Sequence, residues 1–428
     1  MLIEFSVGNY RSFKEQVTFS MVSANLVAKD KKLDENNVFA VNNELQLLKS
    51  AAIYGANASG KSNFAKALGF MKWFMVNSSK ETQSTDAIDV EPFRLSTDTE
   101  NQPSYFELVF LMDDRKYRYG FEVNQERVIS EWLFYVPKVR ETKLFERQID
   151  SFDISKVYDA DGIQQRTRKN ALFLSVSAQF NVELAENILR CLTKQLNIIS
   201  GLHDQAYLNY TVDCLINDKN KNDITELIQK LDLGISSIQV EQEDLTIDAL
   251  PDKLPDEFKK NLVKNGGGKA TSIGTIHKKF DASGNYKSIE KFDLEAHESE
   301  GTQKVFAFAG PLINTLKTGK TLIIDEFDAR FHPLITLAIV ELFNSEKTNP
   351  NNAQLIFMTH DTNLLTNKLF RRDQIWFTEK NRYGATDLYS LAEYKIRNDA
   401  SFESDYIKGR YGAIPYIGNL TNLIEPHV

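Results

Sequence analysis

Apolar and polar positions alternate at the start of the chain and again at 17–21, which predicts two β-strands within the first 22 residues. The first alternation is carried by Ile3, Phe5 and Val7. The mostly polar stretch 24–46 is expected to form a loop or a short irregular excursion.

A second apolar run, over 47–54, predicts a buried strand that stops at Gly55. Beyond the glycine, apolar residues recur at helical spacing, at Phe64, Ala67, Leu68, Met71 and Met75. The expected order is therefore a strand, a glycine-containing loop and a helix.

Three further runs, 105–111, 117–123 and 128–136, have the composition of strands. Their connections are too short for crossovers, so we expect an antiparallel meander. From about residue 172 the pattern becomes helical. One helix is expected to open with a capping box at 223–226, and Gly234 occupies its expected C-cap position.

The stretch 241–270 is charged and contains three consecutive glycines, Gly266, Gly267 and Gly268, which is typical of a mobile surface loop. After residue 290 helices and buried strands alternate again. A helix is expected near Thr302 and another over 333–343, and strands are expected over 322–324 and 355–358.

These elements predict an α/β fold in which two halves of one α/β unit are separated along the chain. The halves are 1–171, with the meander, and 291–428. Residues 172–290 are predicted to be an inserted, mainly helical arm with a flexible excursion.

Composition narrows the class of protein. The chain has 428 residues, with 51 Lys and Arg against 59 Asp and Glu and a formal net charge of −8. This net charge excludes a generally basic nucleic-acid-coating protein, although it does not exclude a local basic stripe on the surface. Two cysteines and six scattered histidines argue against a disulfide framework and a zinc module. With no membrane-length apolar run and no signal peptide, we expect a cytoplasmic protein.

Residues Gly55–Ser62 fit the phosphate-binding pattern G-x-x-x-x-G-K-[ST]. Glycines let successive backbone N–H groups converge on phosphate oxygens, and the following helix adds its positive N-terminus. Lys61 is expected to reach the β- and γ-phosphates, and the Ser62 hydroxyl to bind Mg²⁺. The sequence therefore predicts ATP and Mg²⁺ as cofactors.

Two acids, Asp325 and Glu326, follow the strand predicted over 322–324. Asp325 is expected to bind Mg²⁺ directly or through water, and Glu326 is the candidate general base for the attacking water. His360 follows the strand over 355–358 in the same way. It is either an ordinary satisfied side chain or a contact to the γ-phosphate that senses its loss, and we favour the second.

Ser299 and Gly301 precede the helix expected near Thr302, where exposed N–H groups could bind a second anion. By itself this signal is weak, because many helix N-termini have a similar sequence.

The order of these motifs resembles that of ABC-type ATPases, and the opening Gly8–Phe13 is similar to the RecF/SMC/Rad50 branch. The resemblance implies that Arg11 and its neighbours lie near the nucleotide base. It further implies that Asp328 stands in for the D-loop, the loop after the acidic pair, and takes part in nucleotide binding. It also implies that Ser299 and Gly301 act across a dimer interface on the partner's ATP. The phosphate-binding loop and the start of its helix, together called the cradle below, are expected to contact nucleotide through Gly55, Asn57, Ala58, Ser59, Gly60, Lys61, Ser62 and Asn63.

A more particular likeness, carried by 298–302, 327–333 and 408–413, is to the ATPase subunits of abortive-infection and Rlo-type phage-defence operons. Those subunits are relatives of the overcoming-lysogenisation-defect nucleases. The segment after His360 is short for the nuclease domain that such nucleases carry there, so any nuclease or toxin is expected on a separate polypeptide.

The function predicted is an ATPase that dimerises around ATP and Mg²⁺ and controls a separate effector in phage defence. A RecF-like DNA-repair ATPase that clamps DNA is the alternative, since nucleic-acid binding stays open. A non-catalytic scaffold that uses ATP as structural glue is a third possibility, and a transport subunit is the least favoured.

Overall fold

The computed structural model describes residues 1–28, 30–137, 140–203, 205–231, 234–244, 255, 269–397 and 400–418. The chain divides into two compact units. The first unit comprises Met1–Leu202, Thr315–Ala329 and Thr336–Val428, and the second comprises His203–Asn314 and Arg330–Ile335.

The strands, in chain order, are β1 (Leu2–Gly8), β2 (Val17–Ser20), β3 (Val38–Ala40), β4 (Gln46–Leu48), β5 (Ser50–Tyr54), β6 (Ser104–Met112), β7 (Arg115–Val123), β8 (Val128–Val136), β9 (Thr142–Gln148), β10 (Ser151–Ile154), β11 (Leu196–Ser200), β12 (Ser237–Asp244), β13 (Lys269–Phe280), β14 (Tyr286–Asp293), β15 (Thr321–Asp325), β16 (Gln354–Met358), β17 (Ile375–Lys380) and β18 (Thr386–Ser390).

The helices are α1 (Lys31–Asn37), α2 (Lys61–Asn77), α3 (Phe173–Gln179), α4 (Glu183–Gln195), α5 (Gln205–Ile216), α6 (Lys221–Lys230), α7 (Leu294–His297), α8 (Glu300–Thr318), α9 (Pro333–Asn344) and α10 (Phe402–Ile407). Single 3₁₀ turns occur at Gln164–Arg166, Thr362–Leu364, Arg372–Gln374 and Leu391–Glu393.

The predicted meander is part of a seven-stranded sheet in the first unit, with the order β10-β9-β8-β7-β6-β1-β2. Each neighbouring pair is antiparallel, as the short connections require. The strands predicted within the first 22 residues and over 105–136 are confirmed. Strands β9 and β10, which continue the sheet, were not predicted.

The second large sheet of the first unit has the order β11-β15-β16-β5-β17-β18. Its first five strands run parallel, and β18 returns antiparallel to β17. Strands β5 and β16 are buried at every residue, as expected of parallel strands covered on both faces. The carboxyl ends of the parallel strands share one edge, which is where α/β sheets bind ligands.

Buried residues of helix α2 belong to one hydrophobic cluster with residues of both large sheets. The ring of Phe64 contacts Phe5 of β1 and Phe19 of β2, with centroid distances of 5.5 Å and 5.2 Å. The apolar face predicted for this helix is buried along its length. The predicted α/β class and the predicted antiparallel meander are confirmed.

The expectation of a loop over 24–46 is wrong in part, because this stretch contains α1, β3 and the first residue of β4. The side chain of Asp30 accepts a hydrogen bond from Lys32 N and caps α1. Asn37 is buried, and its amide donates to Leu369 O and to Gln374 Oε1. A buried face that includes a satisfied polar residue gives no apolar periodicity.

The helix expected to begin with a capping box at 223–226 begins earlier, at Lys221, and Asn220 is its N-cap. Its last residue is Lys230 and its C-cap is Leu231, so Gly234 is not the C-cap. Three apolar residues at helical spacing are buried on one face of this helix, namely Ile224, Leu227 and Ile228.

The second unit contains α5, α6, α7, most of α8 and an antiparallel three-stranded sheet of order β12-β13-β14. This sheet was not predicted. The arm boundaries at 172 and 290 stay a prediction, although α3, α4 and β11 belong to the first unit. Most of the excursion expected over 241–270, including its three glycines, lies outside the described residues.

Candidate nucleotide site

The loop that carries the phosphate-binding pattern, residues 55–62 and called the P-loop below, connects β5 to α2 at the carboxyl edge of the parallel sheet. Gly60 has φ = +117°, and a Cβ atom built on it would lie 2.5 Å from Thr386 Oγ1, so the turn requires glycine. The Thr386 hydroxyl donates to Ser59 O over 2.7 Å. The hydroxyls of Ser59 and Thr378 are 2.7 Å apart, which ties the loop to β17.

Lys61 is buried at the first position of α2. Its ammonium donates to Gly55 O over 2.8 Å and to Ala56 O over 3.1 Å. Burial lowers the pKa of Lys61 to about 8, and the carboxylates of the neighbouring acidic loop oppose this shift. The lysine therefore lies against the loop that would hold phosphates, with a charge that is easily lost above neutral pH.

Ser62 and Asp325 lie together, as expected of a shared Mg²⁺ site. The Ser62 hydroxyl donates to Asp325 Oδ1 over 3.2 Å, and Asp325 is the last residue of β15. A hydroxyl and a carboxylate are hard oxygen ligands of the kind that Mg²⁺ takes alongside water and phosphate. Within the described ranges, no group of three or more His, Cys, Asp or Glu side chains is arranged to hold a metal ion.

Glu326 follows in a left-handed backbone conformation, with φ = +53°. The next loop residue, Phe327, donates its N–H to Met358 O at the end of β16. Gly201, just after β11, donates its N–H to Asp325 O, and a Cβ atom on Gly201 would lie 2.0 Å from Glu326 O. Only glycine at 201 therefore allows this backbone path for the candidate base.

Asp328 and His360 are linked across two strand ends, because the backbone N–H of His360 donates to Asp328 Oδ1 over 3.2 Å. Desolvation, followed by the charge of Lys61, lowers the pKa of His360 below its ordinary value. The imidazole is therefore neutral at pH 7, with one nitrogen able to donate and the other to accept.

These side chains border one cavity of about 550 Å³ in the first unit. Its lining includes most of the residues predicted to bind or act on nucleotide: Asn57, Ala58, Ser59, Gly60, Lys61, Ser62, Asn63, Glu326, Asp328 and His360. Ala329 and Lys380 line it as well. Gly55 and Asp325 are not among the lining residues, but they are hydrogen-bonded to Lys61 and Ser62, which are.

Arg11 is not among the lining residues. Its guanidinium forms an ion pair with Glu91 over 2.6 Å and lies over the ring of Tyr10. The adjacent Ser12 does reach the P-loop helix, since its hydroxyl accepts from Asn63 Nδ2 over 2.8 Å. The predicted contact of Arg11 with the base stays a prediction.

Ser299 and Gly301 belong to the second unit and are not among the residues that line the cavity. The Ser299 hydroxyl accepts a hydrogen bond from Thr302 N over 3.1 Å, so Ser299 caps α8. The role predicted for these residues, on the ATP of a partner, stays a prediction.

Two residues near the cradle were not predicted, Gly201 and Lys380. Each becomes relevant only through the sheet order, which puts β11 beside β15 and β17 beside β5. In the sequence, Gly201 is a lone glycine after an apolar run, and Lys380 lies in the charged stretch 379–382. Neither pattern indicates a binding site by itself.

The model of one protein family matches residues 50–366, described as "AAA domain, putative AbiEii toxin, Type IV TA system". The chain belongs to this AAA family. The matched region begins with β5 and ends shortly after His360, so it contains the P-loop and both acids of β15 and its loop. Among the cavity residues of this AAA-family chain, Lys380 alone lies beyond the matched region.

Many solved structures are similar to the AAA-family chain, among them the two that follow. An SMC head domain from Thermotoga maritima is 12% identical, over 91% of this chain and 98% of that chain, with a TM-score of 0.39. The recombination mediator protein RecF with ATP, of the RecFOR pathway, is 13% identical, over 91% of this chain and 99% of that chain, with a TM-score of 0.34. No curated protein sequence matches the chain.

In the described part, no helix combines the length and apolarity needed to cross a bilayer.

Proposed function

We propose that the protein binds ATP with Mg²⁺ in the cavity at the end of the parallel sheet and hydrolyses it slowly, as a molecular switch. The observation that carries this proposal is the convergence of Lys61, Glu326 and His360 on one cavity beside the Ser62–Asp325 hydrogen bond. Membership of the AAA family supports it independently.

The backbone N–H groups of the P-loop and the ammonium of Lys61 would bind the β- and γ-phosphates. Ser62 and Asp325 would hold Mg²⁺, whose chemistry is to neutralise phosphate charge and polarise the terminal phosphate. Lys61 would exchange its bonds to Gly55 O and Ala56 O for charge-assisted bonds to phosphate oxygens, which are stronger.

Glu326 would accept the proton of the attacking water. His360, neutral at pH 7, would donate a hydrogen bond to the γ-phosphate from one ring nitrogen. The backbone N–H of His360 is hydrogen-bonded to Asp328. Loss of the γ-phosphate would therefore affect the loops that follow both β16 and β15. Such coupling suits a switch.

Replacing Glu326 by Gln tests the assignment of the base. The amide keeps the shape and cannot accept the proton, so we expect ATP binding to persist and phosphate release to fall by a factor on the order of a hundred or more. Glu341→Gln, at an exposed site on α9, is the matched control. Parental turnover in Glu326→Gln would refute the role of Glu326.

We further propose that two copies dimerise around ATP, with Ser299 and Gly301 of one copy completing the site of the other. This step depends on the ABC-type resemblance and on the capped N-terminus of α8, where free N–H groups favour an anion. Glu326→Gln should then elute as a dimer with ATP and as a smaller species without it.

The third part of the proposal is that this switch controls a separate nuclease or toxin in phage defence. The family description, which includes the words "putative AbiEii toxin, Type IV TA system", supports this setting. In cells that carry the gene with its neighbouring reading frames, we expect reduced phage plating. Protection should be lost with Lys61→Ala and kept with Lys66→Ala, an exposed lysine on the same helix. Equal plating on cells with and without the genes would contradict the defence role.

A further inference from the structure

Lys380 is the last residue of β17 and lines the nucleotide cavity. Side chains two residues apart on a strand share a face, and so do directly opposed residues on paired strands. Thr378, two residues earlier, bonds to Ser59, and Thr386, directly opposite Lys380, bonds to the same loop. Lys380 therefore belongs to the face of the hairpin that contacts the P-loop.

The intervening residue confirms this orientation. Glu379 faces the other side of the hairpin, where its carboxylate accepts a hydrogen bond from Tyr389 over 3.1 Å. The ammonium of Lys380 is exposed and makes no hydrogen bond or ion pair within the described part of the chain. It is thus a cation at the cavity that no neighbouring carboxylate neutralises, whereas the ammonium of Lys61 is bonded to the loop itself.

The sheet order determines which part of a nucleotide this cation would meet. Strand β5, which leads into the P-loop, lies between β16 and β17. Asp325, Glu326 and His360 follow β15 and β16, so the metal and the terminal phosphate belong on that side. Lys380 ends β17, on the opposite side of the loop.

We propose that Lys380 is a second phosphate-binding cation of the cradle and contacts the phosphates nearest the ribose. This inference rests on the proposed function, since it needs a nucleotide in the cavity. Because ATP and ADP share the α- and β-phosphates, Lys380 strengthens the binding of both. It contributes little to the step in which the γ-phosphate leaves.

The test compares Lys380→Ala with Lys380→Arg, which keeps the charge, and with Arg382→Ala. The last variant removes one positive charge from the same hairpin at a side chain that lies on Tyr383 and does not line the cavity. Titration calorimetry with ATP and with ADP, both with Mg²⁺, gives the affinities, and steady-state phosphate release gives kcat and KM.

We expect Lys380→Ala to weaken ATP and ADP alike, by roughly tenfold, as loss of a charge-assisted hydrogen bond implies. The kcat at saturating ATP should stay within about twofold of the parent, because the lost contact is equal in the ground state and the transition state. Lys380→Arg should recover most of the affinity, and Arg382→Ala should bind as the parent does.

Unchanged affinity in Lys380→Ala would overturn this inference, as would a loss confined to ATP or to kcat. If the parent protein itself binds neither nucleotide, the proposed function fails instead, and the two outcomes are thereby distinguished. Parental melting temperatures for the variants would show that a change in affinity does not come from misfolding.

Discussion

The carbonyl of Glu326 lies where a side chain at 201 would have to be, which makes Gly201 a positioning residue for the candidate base. We expect Gly201→Ala to displace Glu326 and to lower phosphate release on the order of a hundredfold, because small misplacements of a reacting group are costly. ATP affinity should persist, since the P-loop is untouched. Gly69→Ala, with open space around its Cβ position, is the control. Parental turnover in Gly201→Ala would contradict the argument.

The pKa of about 8 at Lys61 gives the site a pH dependence with a definite sign. As the pH rises through that value the ammonium loses its charge, so ATP affinity should fall between about pH 7.5 and about pH 9. Bound phosphate favours the charged form of Lys61, so the protein should take up protons when it binds ATP near pH 8. Calorimetry in two buffers of different ionisation enthalpy measures this uptake.

Lys61→Arg is the informative comparison for that pH dependence, because a guanidinium stays charged over the whole range. The ATP affinity that Lys61→Arg retains should no longer change with pH near pH 8. A binding enthalpy that is the same in both buffers for the parent protein would show that Lys61 does not change its protonation on binding.

At the scale of elements, Pro311 inside α8 removes the N–H that would have bonded to Ala307 O. The hydroxyl of Thr211 on α5 donates to that carbonyl over 2.8 Å and accepts from Gly310 N over 3.1 Å. One buried side chain thus repairs the interrupted helix.

Thr211→Val is nearly isosteric and leaves both backbone groups without this partner. We expect it to lower the free energy of unfolding by about 1–3 kcal/mol, the range for stranding a buried polar group. Thr211→Ser should retain most of the stability, and Thr271→Val, at an exposed position on β13, should be neutral. Urea titration followed by circular dichroism measures the differences, and equal midpoints for Thr211→Val and the parent would refute this repair.

The elements that the sequence predicted are those with a buried face. Strands β5, β15 and β16 and helix α2 have continuous or periodic apolar residues, and they carry the P-loop, the acidic pair and His360. Strand β14 is exposed at every residue, so no hydrophobic period could indicate it. Gly201 and Lys380 escaped prediction for another reason, since only strand pairing brings them to the site.

For the whole molecule, the proposed dimer predicts complementation between two inactive variants. Lys61→Ala lacks the P-loop cation, and Ser299→Arg blocks the surface offered to the partner. In a dimer of one copy each, one of the two composite sites keeps both residues. Random mixing should therefore restore about a quarter of the parental ATPase activity, since half of the dimers are mixed.

Phosphate release across a series of mixing ratios measures this recovery. A mixture no more active than its components would contradict the shared site. Full activity of Ser299→Arg alone would show that the serine takes no part in turnover.

The lysine that folds back onto its own loop has a consequence for the resting protein. With two carbonyl acceptors at hand, the ammonium of Lys61 is not left as a bare buried ion when the cavity is empty. In the proposed binding step, phosphate oxygens would replace these two carbonyls as acceptors, so the ammonium would keep hydrogen-bond partners throughout the exchange.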